Sequence, residues 1–103
     1  MLTSNQRAFL KGLASTEDTI LMVGKGGISP EVLQQADDAL EARELIKGKV
    51  LDTAPLSVKE VAAQIAEAVG CEVVQTIGFK FVLYRAKKKD PIIQLPKPSK
   101  KTV

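Results

Sequence analysis

Gly24-Lys25-Gly26-Gly27 is the segment whose residue types and spacing most clearly allow chemistry. Three of its four residues carry no side chain, so its backbone can approach a ligand closely. Ser29-Pro30-Glu31 follows as a helix start: Ser29 suits the cap, Pro30 the first turn, and Glu31 complements the positive helix end. Unpaired amides at such a start attract anions, and Lys25 brings a charge to the same place. Two phosphate motifs fail on spacing. G-x-x-x-x-G-K-[ST] is absent, and Ser29 stands where G-x-G-x-x-G needs its third glycine. What remains is G-x-x-G, either a strand-to-helix turn needing positive φ or a clamp on a nucleic-acid backbone. In a clamp, Lys25 would meet a phosphate, and the amides of Gly26, Gly27 and Ile28 would donate to it.

Other basic residues could extend such a contact. Arg7 and Lys11 lie four apart on a helical pattern and share a face, which is either solvated or within reach of adjacent phosphates. Lys47 and Lys49 share one face of a strand; for Lys49 a plain exposed face suffices. Arg85 ends the last strand and leads into Lys87-Lys88-Lys89, while Tyr84 could stack on a base or pack in the core. Glu31, Asp37, Asp38, Glu41 and Glu44 line the second helix, with Asp37 and Glu41 a repulsive i,i+4 pair. Paired carboxylates can serve acid–base or metal chemistry. On a regular helix without a pocket signal, they are better read as a surface turned away from a polyanion. With no His and one cysteine, Cys71, the chain lacks the residues for a Ser-His or Cys-His pair, a zinc cluster or an intramolecular disulfide. No cofactor is expected.

The elements that must position these residues are legible from periodicity. Thr3-x-x-Gln6 forms a capping box for a helix to about Ala14, with Phe9, Leu10 and Leu13 on one face. Thr19 to Val23 is a short apolar run that reads as a buried strand. From Ser29 an amphipathic helix with Val32, Leu33, Ala36, Ala39 and Leu40 runs to about Glu44. Leu45 to Leu51 alternates, Ile46, Gly48 and Val50 facing one way. Ser57-x-x-Glu60 caps a third helix ended by Gly70, and two strands around Gly78 form a hairpin. The order αβαβαββ predicts an α/β (α+β) fold with a four-stranded mixed sheet packed with helices.

The 103 residues hold 15 Lys+Arg against 12 Asp+Glu, a net charge of +3 that is unevenly placed. From Arg85 onward the chain sums to +6, and residues 1–84 to −3. Residues 86–103, rich in Lys and Pro, read as a flexible basic tail that either solubilises or attracts polyanions. At 45% hydrophobic and 26% charged, the rest is an ordinary folded domain. The absence of a targeting pattern or an apolar span of about 18 residues leads to the expectation of a cytoplasmic protein.

A KH-type loop joins two helices, whereas this one follows a strand. Val23-Gly24-Lys25-Gly26-Gly27-Ile28, Ala39-Leu40-Glu41-Ala42-Arg43-Glu44-Leu45-Ile46-Lys47, Gln75-Thr76-Ile77-Gly78 and Leu83-Tyr84-Arg85 occur in that order. Together they closely resemble the CRM domain (chloroplast RNA splicing and ribosome maturation), in its stand-alone bacterial YhbY-type form. The resemblance spans roughly residues 2 to 85, making 1–85 the RNA-binding domain. It implies a fold similar to the C-terminal domain of translation initiation factor three. It also implies RNA binding through the Gly24–Gly27 loop and association with ribosomal RNA or large-subunit precursors. The chain departs from the family pattern at Gly48, usually β-branched, and at Phe79, often basic. The expectation is a non-enzymatic RNA-binding protein of ribosome assembly; the alternative is a ribosome-associated protein–protein adaptor docking through its acidic helix.

Overall fold

The computed structural model describes residues 2–86 and Ile93. The elements are α1 (Ser4–Ala14), β1 (Thr19–Val23), α2 (Pro30–Arg43), β2 (Leu45–Val50), α3 (Val58–Val69), β3 (Glu72–Ile77) and β4 (Lys80–Tyr84). Each helix starts where its cap sets it. Thr3 and Ser57 form reciprocal capping boxes with Gln6 and Glu60, and the Ser29 side chain accepts from the Val32 amide. Gly70 closes α3 in the left-handed conformation.

The sheet order is β1-β2-β4-β3, with β1 and β2 parallel and both remaining pairs antiparallel. The expected mixed sheet is therefore present, with helices on both faces. On one face, α2 and α3 bury Leu21, Val23, Ala36, Leu40, Ile46, Val50, Val61, Ile65, Phe81 and Leu83. On the other, α1 lays Leu10 and Ala14 against Leu45, Val74, Val82 and Tyr84. Each fully buried Leu, Ile, Val or Phe contributes about 1.5–3 kcal/mol. Alternation along β4 sends Phe81 and Leu83 to one core and Val82 and Tyr84 to the other.

Two local expectations change. In α1 the buried pair is Leu10 and Ala14, and Phe9 and Leu13 remain exposed, because a single helix on this face needs only a narrow stripe. β1 is not buried throughout: Leu21 and Val23 enter the core, while Ile20 and Met22 are exposed. It is an edge strand whose outer face no helix covers. Gly48 has a packing reason, since a Cβ there would overlap the ring of Phe81 on the adjacent strand.

Glu44 also departs from expectation. It is fully buried rather than part of an exposed acidic face, and its φ of 66° is the one positive value among described non-glycine residues. That backbone twist ends α2 and starts β2 within one residue. The Glu44 amide donates to the Leu40 carbonyl at 2.8 Å, and its own carbonyl accepts from the Arg85 amide at 2.9 Å. Its carboxylate accepts from the Ile93 amide at 2.6 Å. The remainder of the expected basic tail lies outside the described residues.

Candidate nucleic-acid interface

Gly24 to Gly27 forms a closed turn, the Gly27 amide donating to the Gly24 carbonyl at 2.9 Å. Gly27 is the residue with positive φ, 65°, and a Cβ there would sit 3.2 Å from Pro55 Cγ. At Gly24 a Cβ would meet Leu51 Cδ1 at 3.1 Å. Gly26 has no positive φ, as Gly24 has none, and it differs from both in that nothing lies within 4 Å of where its Cβ would be. Shape and backbone conformation therefore account for Gly24 and Gly27 and leave Gly26 without a structural reason. Lys25 and Gly26 are exposed at the tip.

The amide inventory narrows what the loop can offer. Gly27 was expected to donate to a ligand, but its N–H is consumed by the turn. The start of α2 is also partly satisfied: Pro30 has no N–H, Val32 donates to Ser29 Oγ at 3.2 Å, and Leu33 donates to the Ser29 carbonyl at 3.0 Å. The amides of Gly26 and Ile28 have no acceptor among the described residues. The amides of Lys25, Ser29 and Glu31 likewise have no acceptor among the described residues, so an anion there would meet the Lys25 side chain and free amides running from the loop into the first turn of α2.

Because β1 and β2 are parallel and β4 runs against β2, the glycine loop, the 51–56 loop and the Gly78-Phe79 turn gather at one end of the sheet. The Leu51 amide donates to the Val23 carbonyl at 2.8 Å, and the Val50 amide to the Phe79 carbonyl at 2.7 Å. Lys49, Val50, Leu51, Asp52 and Phe79 line a shallow cleft there of about 290 Å³.

The other expected contacts are placed elsewhere. Arg7 donates to the Val73 carbonyl and, at 3.1 Å, to the Val74 carbonyl, so its guanidinium ties α1 to β3. Lys11 is exposed on α1. Arg7 and Lys11, expected on one face, thus have different surroundings, the first bonded to β3 and the second exposed. Lys47 Nζ donates to the Ala14 carbonyl at 3.2 Å, holding the C-terminus of α1 on the sheet. Arg85 sits at the opposite end of β4 from the loop, roughly 16 Å away by strand rise. It donates to Asp37 Oδ1 at 2.7 Å, to the Val69 carbonyl at 2.9 Å and to Glu41 Oε1 at 3.4 Å. The Asp37–Glu41 repulsion is thereby relieved, and the carboxylates are turned to Arg85. Tyr84 is a core residue.

Cys71 is half-buried, and burial pushes its thiol up to about 11 from 9.0, an effect the Arg85 charge partly opposes. At neutral pH it is a protonated thiol without nucleophilic character. Among the described residues no group of three or more His, Cys, Asp or Glu could hold a metal ion, and no helix is long and apolar enough to cross a membrane.

Phe79, already marked as a departure from the family pattern, is exposed at the loop end together with Met22, Ile77 and Lys80, which the sequence does not bring together. Period-two alternation from Leu21 and Val23 already turns Met22 outward, but the rows it joins depend on strand order.

Fold and loops together define a small α+β module whose glycine loop links a parallel strand to a helix. The chain belongs to the CRS1/YhbY (CRM) domain family, whose pattern matches residues 2–85. It is 41% identical over 96 residues to the "Probable RNA-binding protein YqeI" of Bacillus subtilis (strain 168), covering 93% of this chain and 100% of that protein. It is 36% identical over 96 residues to an "RNA-binding protein" of Haemophilus influenzae, covering 93% and 96% of the two chains. The solution structure of a hypothetical Staphylococcus aureus protein, proposed there to bind RNA, superposes with a TM-score of 0.75 at 44% identity. That match covers 93% of this chain and 100% of the other.

Proposed function

We propose that this chain is a non-enzymatic RNA-binding protein that acts in ribosome assembly in the cytoplasm, holding ribosomal RNA or large-subunit precursors through its glycine loop. Family membership and the RNA-binding names of its relatives support the partner. The observation that carries the site is Gly26: an exposed glycine with open space around it and no positive φ, beside the exposed Lys25. Bulk at that tip would cost the fold nothing and would cost an approaching phosphate backbone its access to the Gly26 amide. The adaptor alternative finds less support, because Asp37 and Glu41 of the acidic helix are engaged by Arg85 and Glu44 is buried.

Replacing Lys25 and Gly26 together by Asp tests this reading. The new carboxylates lie near the α2 N-terminus, where they favour the helix and repel phosphate. Each lost contact is worth about 1–3 kcal/mol, so affinity for a ribosomal RNA fragment should fall at least about tenfold with the unfolding midpoint little changed. For four to six single-strand phosphate contacts, wild-type affinity should fall with salt at a log–log slope of roughly −3 to −4. Unchanged affinity in a folded variant would remove the loop from the interface. Crosslinking in cell extract should recover large-subunit RNA; protein-only crosslinks would instead support the adaptor.

A further inference from the structure

Beyond α1, the sheet leaves one row of side chains uncovered. Met22 on β1 lies opposite Lys49 on β2, Lys49 opposite Lys80 on β4, and Lys80 opposite Ile77 on β3. Partners in register share a face, so these four residues form a line across the whole sheet. The neighbouring line, Leu21, Gly48 and Phe81, points into the α2/α3 core, which puts the exposed line on the α1 side. α1 stops short of it: Ala14 reaches Lys47, one row away. Met22 and Ile77 are 60% and 61% exposed, and both lysines are exposed.

Two properties of the row point to an anionic, aromatic partner. Lys49 and Lys80 stand directly opposite on adjacent strands, an arrangement that costs stability unless something negative joins them. Neither makes an ion pair among the described residues. Around this cationic centre are large apolar groups, Met22 and Ile77 at its ends and Phe79, 61% exposed, at the adjoining turn. Phosphate-binding cations beside an apolar or aromatic surface are what single-stranded nucleic acid requires. Met22 is also only two residues from Gly24, so the row is continuous with the glycine loop.

We propose that Met22, Lys49, Lys80 and Ile77, with Phe79, form a second contact surface for single-stranded RNA continuing from the loop. Lys49 and Lys80 take phosphates, and Phe79 stacks on a base. The proposal rests on the RNA-binding reading, and the two are separable by comparing three variants of the full chain: Lys49→Gln/Lys80→Gln, Phe79→Ser, and the Lys25/Gly26 loop variant. The probe is a labelled single-stranded ribosomal RNA oligonucleotide, titrated at several salt concentrations. The double lysine variant should bind about 5- to 20-fold more weakly, with a salt slope shallower by about 1.4, as expected for two contacts. Its unfolding midpoint should hold or rise, because a like-charge pair is gone. Phe79→Ser should weaken binding about fivefold or more and leave the slope unchanged. Loss confined to the loop variant overturns the platform, leaves the loop reading intact and points the face to a protein partner. Loss confined to the face variants keeps the platform and overturns the loop. Wild-type binding by all three overturns both.

Discussion

Gly26 and Gly27 are neighbours in one turn and are glycine for different reasons. Gly27 has a positive φ and lies close to Pro55, so Gly27→Ala should cost about 1–2 kcal/mol through backbone conformation alone. Gly26 has neither constraint, so Gly26→Ala should be neutral or stabilising by up to about 1 kcal/mol through the unfolded chain. Thermal unfolding of the two variants separates them, and equal losses would contradict the distinction. The sequence marks this loop by its three glycines, but their roles are not legible there. Only the Gly27–Gly24 hydrogen bond says which residue turns the chain and which amides are left over. The same holds for the cations. Arg7, Lys47 and Arg85 look free in the sequence, yet each reaches a backbone carbonyl of a distant element.

At the scale of elements, caps and periodicity are local, and the chain states them openly: the boxes at Thr3 and Ser57, the cap at Ser29 and the stop at Gly70 all lie where the pattern puts them. Strand order is not local. Nothing in β4 alone says that it inserts between β2 and β3, and that insertion explains Gly48 by setting Phe81 across from it. A β-branched residue would suit an isolated strand better. Here Gly48→Val should destabilise the protein by about 1–3 kcal/mol through overpacking. Urea denaturation would measure this, and a second substitution, Phe81→Leu, should recover part of the loss because the two sites share one space. Wild-type stability for Gly48→Val would mean that the ring can move aside and that the close approach is not required.

Over the whole molecule, the two ends of the sheet have different chemistry. At one end Lys25, Lys49 and Lys80 are exposed around the glycine loop and Phe79. At the other, Arg7 and Arg85 are held by carbonyls and, for Arg85, by the carboxylates of α2. Net charge does not separate these ends, since both carry basic residues; their bonding partners do. Amide chemical shifts of the isotope-labelled full chain, followed as single-stranded ribosomal RNA is added, test this polarity most directly. The largest changes are expected at Lys25, Gly26, Ile28, Lys49 and Lys80, with Val74 and Ala86 nearly still. Changes centred on Arg7, Arg85 and their neighbours, with the glycine loop unmoved, would contradict that polarity.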